Sequence, residues 1–107
     1  MSQFTLHSAQ DTLIACIKGE IDHHTAAGIS GDLDAEILCR MPRLLVMDFS
    51  AVSFMDSSGI GLILGRRRLM QTLHGEMTVQ AVPKDVARIV KLAGIDEIVI
   101  NSEVKTV

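Results

Sequence analysis

No tryptophan and no tyrosine occur in this chain of 107 residues, and phenylalanine appears only three times. Its core must therefore be aliphatic, with methionine filling irregular gaps. Cysteine is equally sparse. Cys16 and Cys39 stand alone inside apolar segments and make no C-x-x-C pair, a pattern that favours inert thiols over a disulfide or a metal site. The only prolines, Pro42 and Pro83, fall where element boundaries are expected. No apolar run approaches the ~18 residues of a membrane-spanning helix. The start, MSQFTLHSAQD, has neither the basic flank nor the apolar stretch of a secretory signal. These absences predict a cytoplasmic chain with no membrane span and no cofactor.

Charge is scarce in one respect too. The formal net charge is -3, and such a mildly acidic chain is poorly suited to neutralising phosphates, so no direct nucleic-acid binding is expected. What is present is 48% hydrophobic and 21% charged residues, the balance of a globular domain. The length suits one core. Residues 1–107 read as a single domain, with a core over about 3–101 and a polar C-terminal tail.

The order of elements follows from periodicity. Residues 3–8 suggest an edge strand, and 12–18 (TLIACIK) a central strand ended by Gly19. Asp22 or Thr25 can cap a helix that runs to about Arg40, with Ala26, Ile29, Leu33 and Ile37 on its inner stripe. Pro42 stops it. Residues 44–49 (LLVMDF) read as a strand covered on both faces, and 50–56 as a connection. A second helix is expected from near Ser57 to near His74, with Gly75 as its terminator. A strand over 77–82, a helix from Pro83 to about Ala93 closed by Gly94, and a short strand over 98–100 complete the chain. Strands alternating with helices imply an α/β fold. The sheet should be mixed and mostly parallel, with an N-terminal edge strand and about three to four flanking helices. Sites in such sheets gather beyond the carboxyl ends of the strands. Here that brings the loops at 22–25, 50–57 and 81–83 together near Ser57.

The segment MDFSAVSFMDSSGIGLILGR is the most informative. Ser57 opens the second helix and reads as its N-cap. The same corner permits more, because free N–H groups at a helix N-terminus can receive a phosphate. Phosphate on Ser57 would add about -1.5 to -2 charges beside Asp56. Gly59, Gly61 and Gly65 do not spell a dinucleotide fingerprint. Gly61 and Gly65, one turn apart, point instead to close approach of helix and sheet. Leu62, Leu69 and Leu73 share one face, expected to be the core face. Ile60 and Leu64 lie elsewhere. They either reach a neighbouring loop or form an apolar docking patch beside Ser57. Arg66, Arg67 and Arg68 point in three directions and read as solvated, with one of them free to steer an acidic partner.

Other chemistries fit poorly. His23 and His24 adjoin and cannot both face one metal, and no cluster supplies a third ligand. A serine at a strand-to-helix corner evokes the hydrolase elbow, but that motif is G-x-S-x-G and this chain has M-D-S-S-G. Nothing orients a histidine and an acid toward Ser57.

The two segments GEIDHHTA (19–26) and SFMDSSGIG (53–61), followed by ILGR (63–66) and GEM (75–77), carry a resemblance. The chain resembles the anti-sigma-factor antagonists of the STAS-domain superfamily, and the sporulation-type member in particular, over about residues 3–101. Ile21 and Ile60 stand where the family usually has leucine, and the arginine run is more basic than the typical segment. The resemblance implies a single STAS domain that needs no catalysis of its own. It implies a protein that binds an anti-sigma factor with serine kinase activity and so frees a sigma factor. The kinase would modify the first serine of Asp-Ser-Ser-Gly, Ser57, and release the antagonist. A serine phosphatase would reset it. Read with the docking patch, the partner surface comprises Asp22, His23, Thr25, Asp56, Ser57, Ser58, Gly59, Ile60, Leu64 and Arg67. The alternative is a STAS module of another signalling or transport assembly that binds a nucleotide or small ligand.

Overall fold

The computed structural model describes residues 3–99. Strand β1 (Phe4–Ala9) and strand β2 (Thr12–Ile21) form an antiparallel hairpin. Helix α1 (His23–Arg40) leads to strand β3 (Leu44–Met55), and helix α2 (Ser58–Thr72) to strand β4 (Glu76–Gln80). Helix α3 (Lys84–Leu92) and a 3-10 turn at Asp96–Ile98 follow. The sheet order is β1-β2-β3-β4, with β2, β3 and β4 parallel. This is the expected mixed, mostly parallel α/β architecture with its antiparallel edge strand.

The core is aliphatic, as the missing aromatics require. Leu13, Ala15 and Ile17 of β2 and Leu45, Met47 and Phe49 of β3 alternate inward. They pack in one cluster with Ile29, Leu33 and Ile37 of α1 and Leu62, Ile63 and Met70 of α2. Burial on this scale, at roughly 25 cal/mol per Å² of apolar surface, is the dominant stabilising term. The inner stripe of α1 is the expected one.

Two strands run longer than expected, for one shared reason. Gly19 does not end β2: it takes φ +85° at a register shift, and the strand continues to Ile21. A glycine absorbs a bulge of this kind without strain. Residues 50–55 are likewise strand, not a connection. They pair with the extension of β2, Lys18 opposite Ala51 and Ile21 opposite Met55. The apolar run stops at Phe49, but backbone partners remain available beyond it, and Val52 and Met55 are buried.

The end of the described chain also differs. Residues 96–98 form a 3-10 turn, and only Val99 makes a parallel bridge, to Val79. Ile100, the last residue of the expected strand, lies outside the described residues. β4 stops at Gln80, short of Val82, because Ala81 adopts the left-handed region at φ +56°.

Candidate functional site

Strands β2 and β3 end side by side. The N–H of Asp56 donates to the carbonyl oxygen of Ile21 at 3.1 Å, which joins the loop carrying Asp22 to the loop carrying Asp56 and Ser57. The third expected loop leaves the sheet lower down, and it is α3 that lines the end of β3. Gln80, at the end of β4, pairs with Asp48, well before β3 ends at Met55. The longer β3 leaves the 81–83 connection behind.

On the first side, Asp22 and Thr25 form a complete capping box. The Thr25 N–H donates to Asp22 Oδ1 at 2.9 Å, and the Asp22 N–H donates to Thr25 Oγ1 at 2.9 Å. Both residues named as candidate caps thus act together, Asp22 as the cap and Thr25 three residues on. The Thr25 backbone N–H is the main reason that the Asp22 carboxyl sits below its ordinary value of 3.8. Asp22 is therefore a fixed negative charge at neutral pH. His23 and His24 are exposed in the first turn of α1.

On the second side, Ser57 is exposed and does not cap. Its backbone is already helical, at φ -63° and ψ -16°, and its side chain makes no cap bond. Asp56 takes over: its Oδ1 accepts from the Ser58 N–H at 2.8 Å, and its carbonyl oxygen accepts from the Gly59 N–H at 3.0 Å. The Ile60 N–H donates to the Ser57 carbonyl oxygen at 3.0 Å. Two expectations are thereby corrected. Ser57 is no cap, and the first N–H groups of α2 are occupied, so a phosphate there would not be received by free donors. A cap needs an extended backbone to swing its side chain over the helix end, and Ser57 lies one residue too far in.

The glycine expectation is corrected as well. A Cβ on Gly61 or Gly65 meets no atom within 4 Å. The close approach is at Gly59, where a Cβ would fall onto Sδ and Cγ of Met55. Gly59 is thus a packing contact between α2 and the end of β3, and it is buried. A Cβ on a second tight glycine, Gly75, would clash with Met70 Cε at 2.6 Å and with the Arg43 carbonyl oxygen at 2.9 Å.

The buried face of α2 consists of Gly59, Leu62, Ile63, Arg66 and Met70, while Leu69 and Leu73 are half-buried. Relative to the expected Leu62–Leu69–Leu73 face, this is a rotation of roughly 60°, at about 100° per residue. Leu64 is left 38% exposed. Ile60 is half-buried against the core. Arg66 is not solvated but 7% exposed, and burial pushes its guanidinium below its ordinary value while Asp34 opposes the shift. Its Nε lies 2.7 Å from Asp34 Oδ1, an ionic contact without hydrogen-bond alignment. Its Nη2 donates to Asp34 Oδ2 at 3.3 Å. Arg67 donates from Nη1 to Glu97 Oε2 at 3.1 Å, so this residue too is engaged within the chain. Arg68 is exposed.

One exposed residue at this end was not among the candidates. Phe54, opposite Glu20 near the end of β3, is 52% exposed. A cavity of ≈ 260 Å³ between residues 53–55 and α3 adjoins it, lined by Val86, Arg88 and Ile89 among others. Reading 50–56 as a connection concealed Phe54; strand alternation places it outward. Among the described residues, no group of three or more histidine, cysteine, aspartate or glutamate side chains converges as a metal site, and no helix is long and apolar enough to cross a membrane.

This arrangement has close counterparts. The chain is 35% identical over 96 residues to an anti-sigma F factor antagonist of Paenibacillus polymyxa, covering 90% of this chain and 82% of that one. It is 26% identical to an anti-sigma-B factor antagonist of Listeria monocytogenes, covering 85% and 76%. The solved anti-sigma factor antagonist SpoIIAA in its unphosphorylated form superposes with a TM-score of 0.82 at 27% identity, covering 92% of this chain and 86% of that one. The Bacillus cell fate determinant SpoIIAA in the phosphorylated form gives 0.74 at 26% identity, covering 92% and 89%. The STAS domain family matches residues 3–107, and with these relatives beside that match the chain belongs to the STAS-domain anti-sigma-factor antagonist family, close to its sporulation-type members.

Proposed function

We propose that this protein is a cytoplasmic anti-sigma-factor antagonist switched by phosphorylation of Ser57. It binds an anti-sigma factor that is also a serine kinase, and that binding releases the sigma factor. The observation that carries the reading is the Ser57 hydroxyl. It is exposed just beyond the end of β3, makes no cap bond, and follows the capping Asp56, whose N–H is bonded to the strand end that leads into Asp22. A kinase needs such an unengaged, accessible oxygen as its nucleophile. The existence of a similar antagonist, SpoIIAA, in a phosphorylated form supports it.

The partner surface follows from the same corner. Asp22, His23 and Thr25 stand at the start of α1. Asp56, Ser57, Ser58 and Gly59 stand at the start of α2, with Ile60, Leu64 and Arg67 along it. Asp22 and Asp56 supply charge, and Leu64 supplies apolar area. Thr25 and Gly59 act through the backbone they hold in place, Arg67 while tethered to Glu97. Phosphorylation adds about -1.5 to -2 charges to this surface. With the first N–H groups of α2 already taken, the phosphate stays in solvent and acts by repulsion and desolvation at the interface. The domain itself need not refold. A serine phosphatase removes the group and restores binding. No catalytic residue of this chain is required.

The test is incubation with the anti-sigma factor captured on this chain and ATP, followed by phosphosite mapping and affinity measurement. Phosphate should appear on Ser57 alone. Ser57→Ala should bind but accept no phosphate, and Ser57→Asp should bind more weakly. Phosphate on Ser58, or on neither serine, refutes the assignment.

A further inference from the structure

The face that α2 presents outward is not set by hydrophobicity. In its first two turns, Ile60, Leu62, Ile63 and Leu64 project over more than half the circumference of the helix, at about 100° per residue. Gly61 and Gly65 occupy much of the rest. Apolar burial is non-directional, so several rotations of this helix would hide similar areas. Only one is adopted. In it Leu62 and Ile63 are fully buried, and Leu64 is exposed.

Arg66 marks what makes the difference. It sits in the middle of the buried face, with Leu62, Ile63 and Met70, yet it carries a charge. A charge at 7% exposure requires a partner. The partner is Asp34 on α1, met by both Nε and Nη2. Asp34 stands next to Leu33 of the inner stripe of α1, and Arg66 meets it in the rotation that α2 adopts. Of the two contacts only the Nη2 hydrogen bond is aligned, and a charge-assisted bond has direction where the surrounding apolar contacts have none.

We propose that the Arg66–Asp34 pair is the positioning contact of the docking surface: it selects the rotation of α2 that turns Leu64, with the edge of Ile60, outward beside Ser57. Arg66 and Asp34 touch no partner themselves. They act through the helix they orient. The proposal rests on the docking role given above to Ile60 and Leu64. Buried ionic contacts add little net stability, which fits a role in choosing among rotations of comparable apolar burial. Arg67 is bound to Glu97 on another flank of the helix.

The test places a reporter thiol on the exposed position with Leu64→Cys, in a chain whose two free thiols, half-buried Cys16 and exposed Cys39, are removed by Cys16→Ala and Cys39→Ser. The rate of thiol modification then reads the rotation without any partner. Asp34→Asn removes the ionic acceptor, and the unpaired Arg66 must leave the core, turning position 64 inward. Modification at 64 should slow by roughly threefold or more. Adding Arg66→Met to Asp34→Asn returns an apolar side chain to the same face and should restore the rate. In chains that retain Leu64, capture of the anti-sigma factor should fall and recover in parallel. A melting temperature that drops in Asp34→Asn while the modification rate stays at its original value overturns the proposal, since Arg66 then escapes without turning the helix. Arg66→Lys, which keeps the charge but loses the aligned Nη2 donor, gives an independent reading if Asp34→Asn folds poorly. An unchanged rate there also overturns it. A chain that never captures an anti-sigma factor would count against the functional reading, and the thiol rates would still decide the rotation.

Discussion

The Asp56 carboxylate accepts from the Ser58 N–H at 2.8 Å, and this contact leaves Ser57 unengaged. An aspartate bonding the backbone two residues on is a common turn device. Here it separates two tasks that the motif Asp-Ser-Ser-Gly would otherwise assign to one side chain. Asp56 stabilises the helix end, and Ser57 is left open to modification.

This division of labour has a measurable consequence. Asp56→Ala should lower stability by about 1 kcal/mol, the ordinary loss for a cap. Ser57→Ala should stay within about 0.5 kcal/mol of the parent, as a surface change that removes no cap does. Urea unfolding of the two variants provides the comparison. The reverse order would return the cap to Ser57.

The glycines of α2 should separate in the same assay. Gly59→Ala drives a methyl into the buried Met55 side chain and should cost about 1–3 kcal/mol, the range for overpacking. Gly61→Ala and Gly65→Ala meet open space and should each gain up to about 1 kcal/mol from helix propensity. A shorter side chain at the clash, Met55→Ala, should relieve part of the added cost of Gly59→Ala.

Asp22 predicts a dependence on pH. Its carboxyl is held below the ordinary 3.8 by the Thr25 N–H. A depressed carboxyl contributes stability that is fully present above the unfolded value and is lost as pH falls through the folded one. Asp22→Asn keeps a competent cap but does not titrate. The stability of the parent relative to Asp22→Asn should therefore be constant above about pH 5 and fall below the ordinary aspartate range. Thermal melts at a series of pH values measure it, and parallel curves would show that the capping box does not depend on the ionised form.

Leu64 offers a fourth contrast, between binding and folding. Leu64→Glu places a charge on an exposed apolar position. Partner affinity should drop by about tenfold or more, as for a desolvated contact, while the melting temperature and far-UV circular dichroism change little. A large loss of stability would place Leu64 in the core.

Much of the fold was legible because it rests on local pattern. The stripe Ala26–Ile29–Leu33–Ile37 announces α1, the turn chemistry of Asp22 and Thr25 announces its start, and Pro42 and Gly75 stand near its neighbours' boundaries. The departures share another origin. Gly19 and Ser50–Met55 look like strand ends when each strand is read alone, but each lengthens because the other is there to pair with it. Register is a property of two segments, and neither contains it.

The candidate site divides along the same line. Ser57 at a strand-to-helix corner, with Asp56 beside it and Asp22 at the preceding loop, was already determined by the order of residues, since capping acts over two or three positions. Which side chain caps, which glycine packs and which face of α2 is buried were decided only by tertiary contacts. Asp34 and Arg66 lie 32 residues apart, and Met55 closes on Gly59 only because β3 runs to its full length. Local hydrogen bonds can be read from neighbours in the chain. The rotation of a helix whose apolar residues surround it depends on a charge placed on another helix, and only the folded molecule brings the two together.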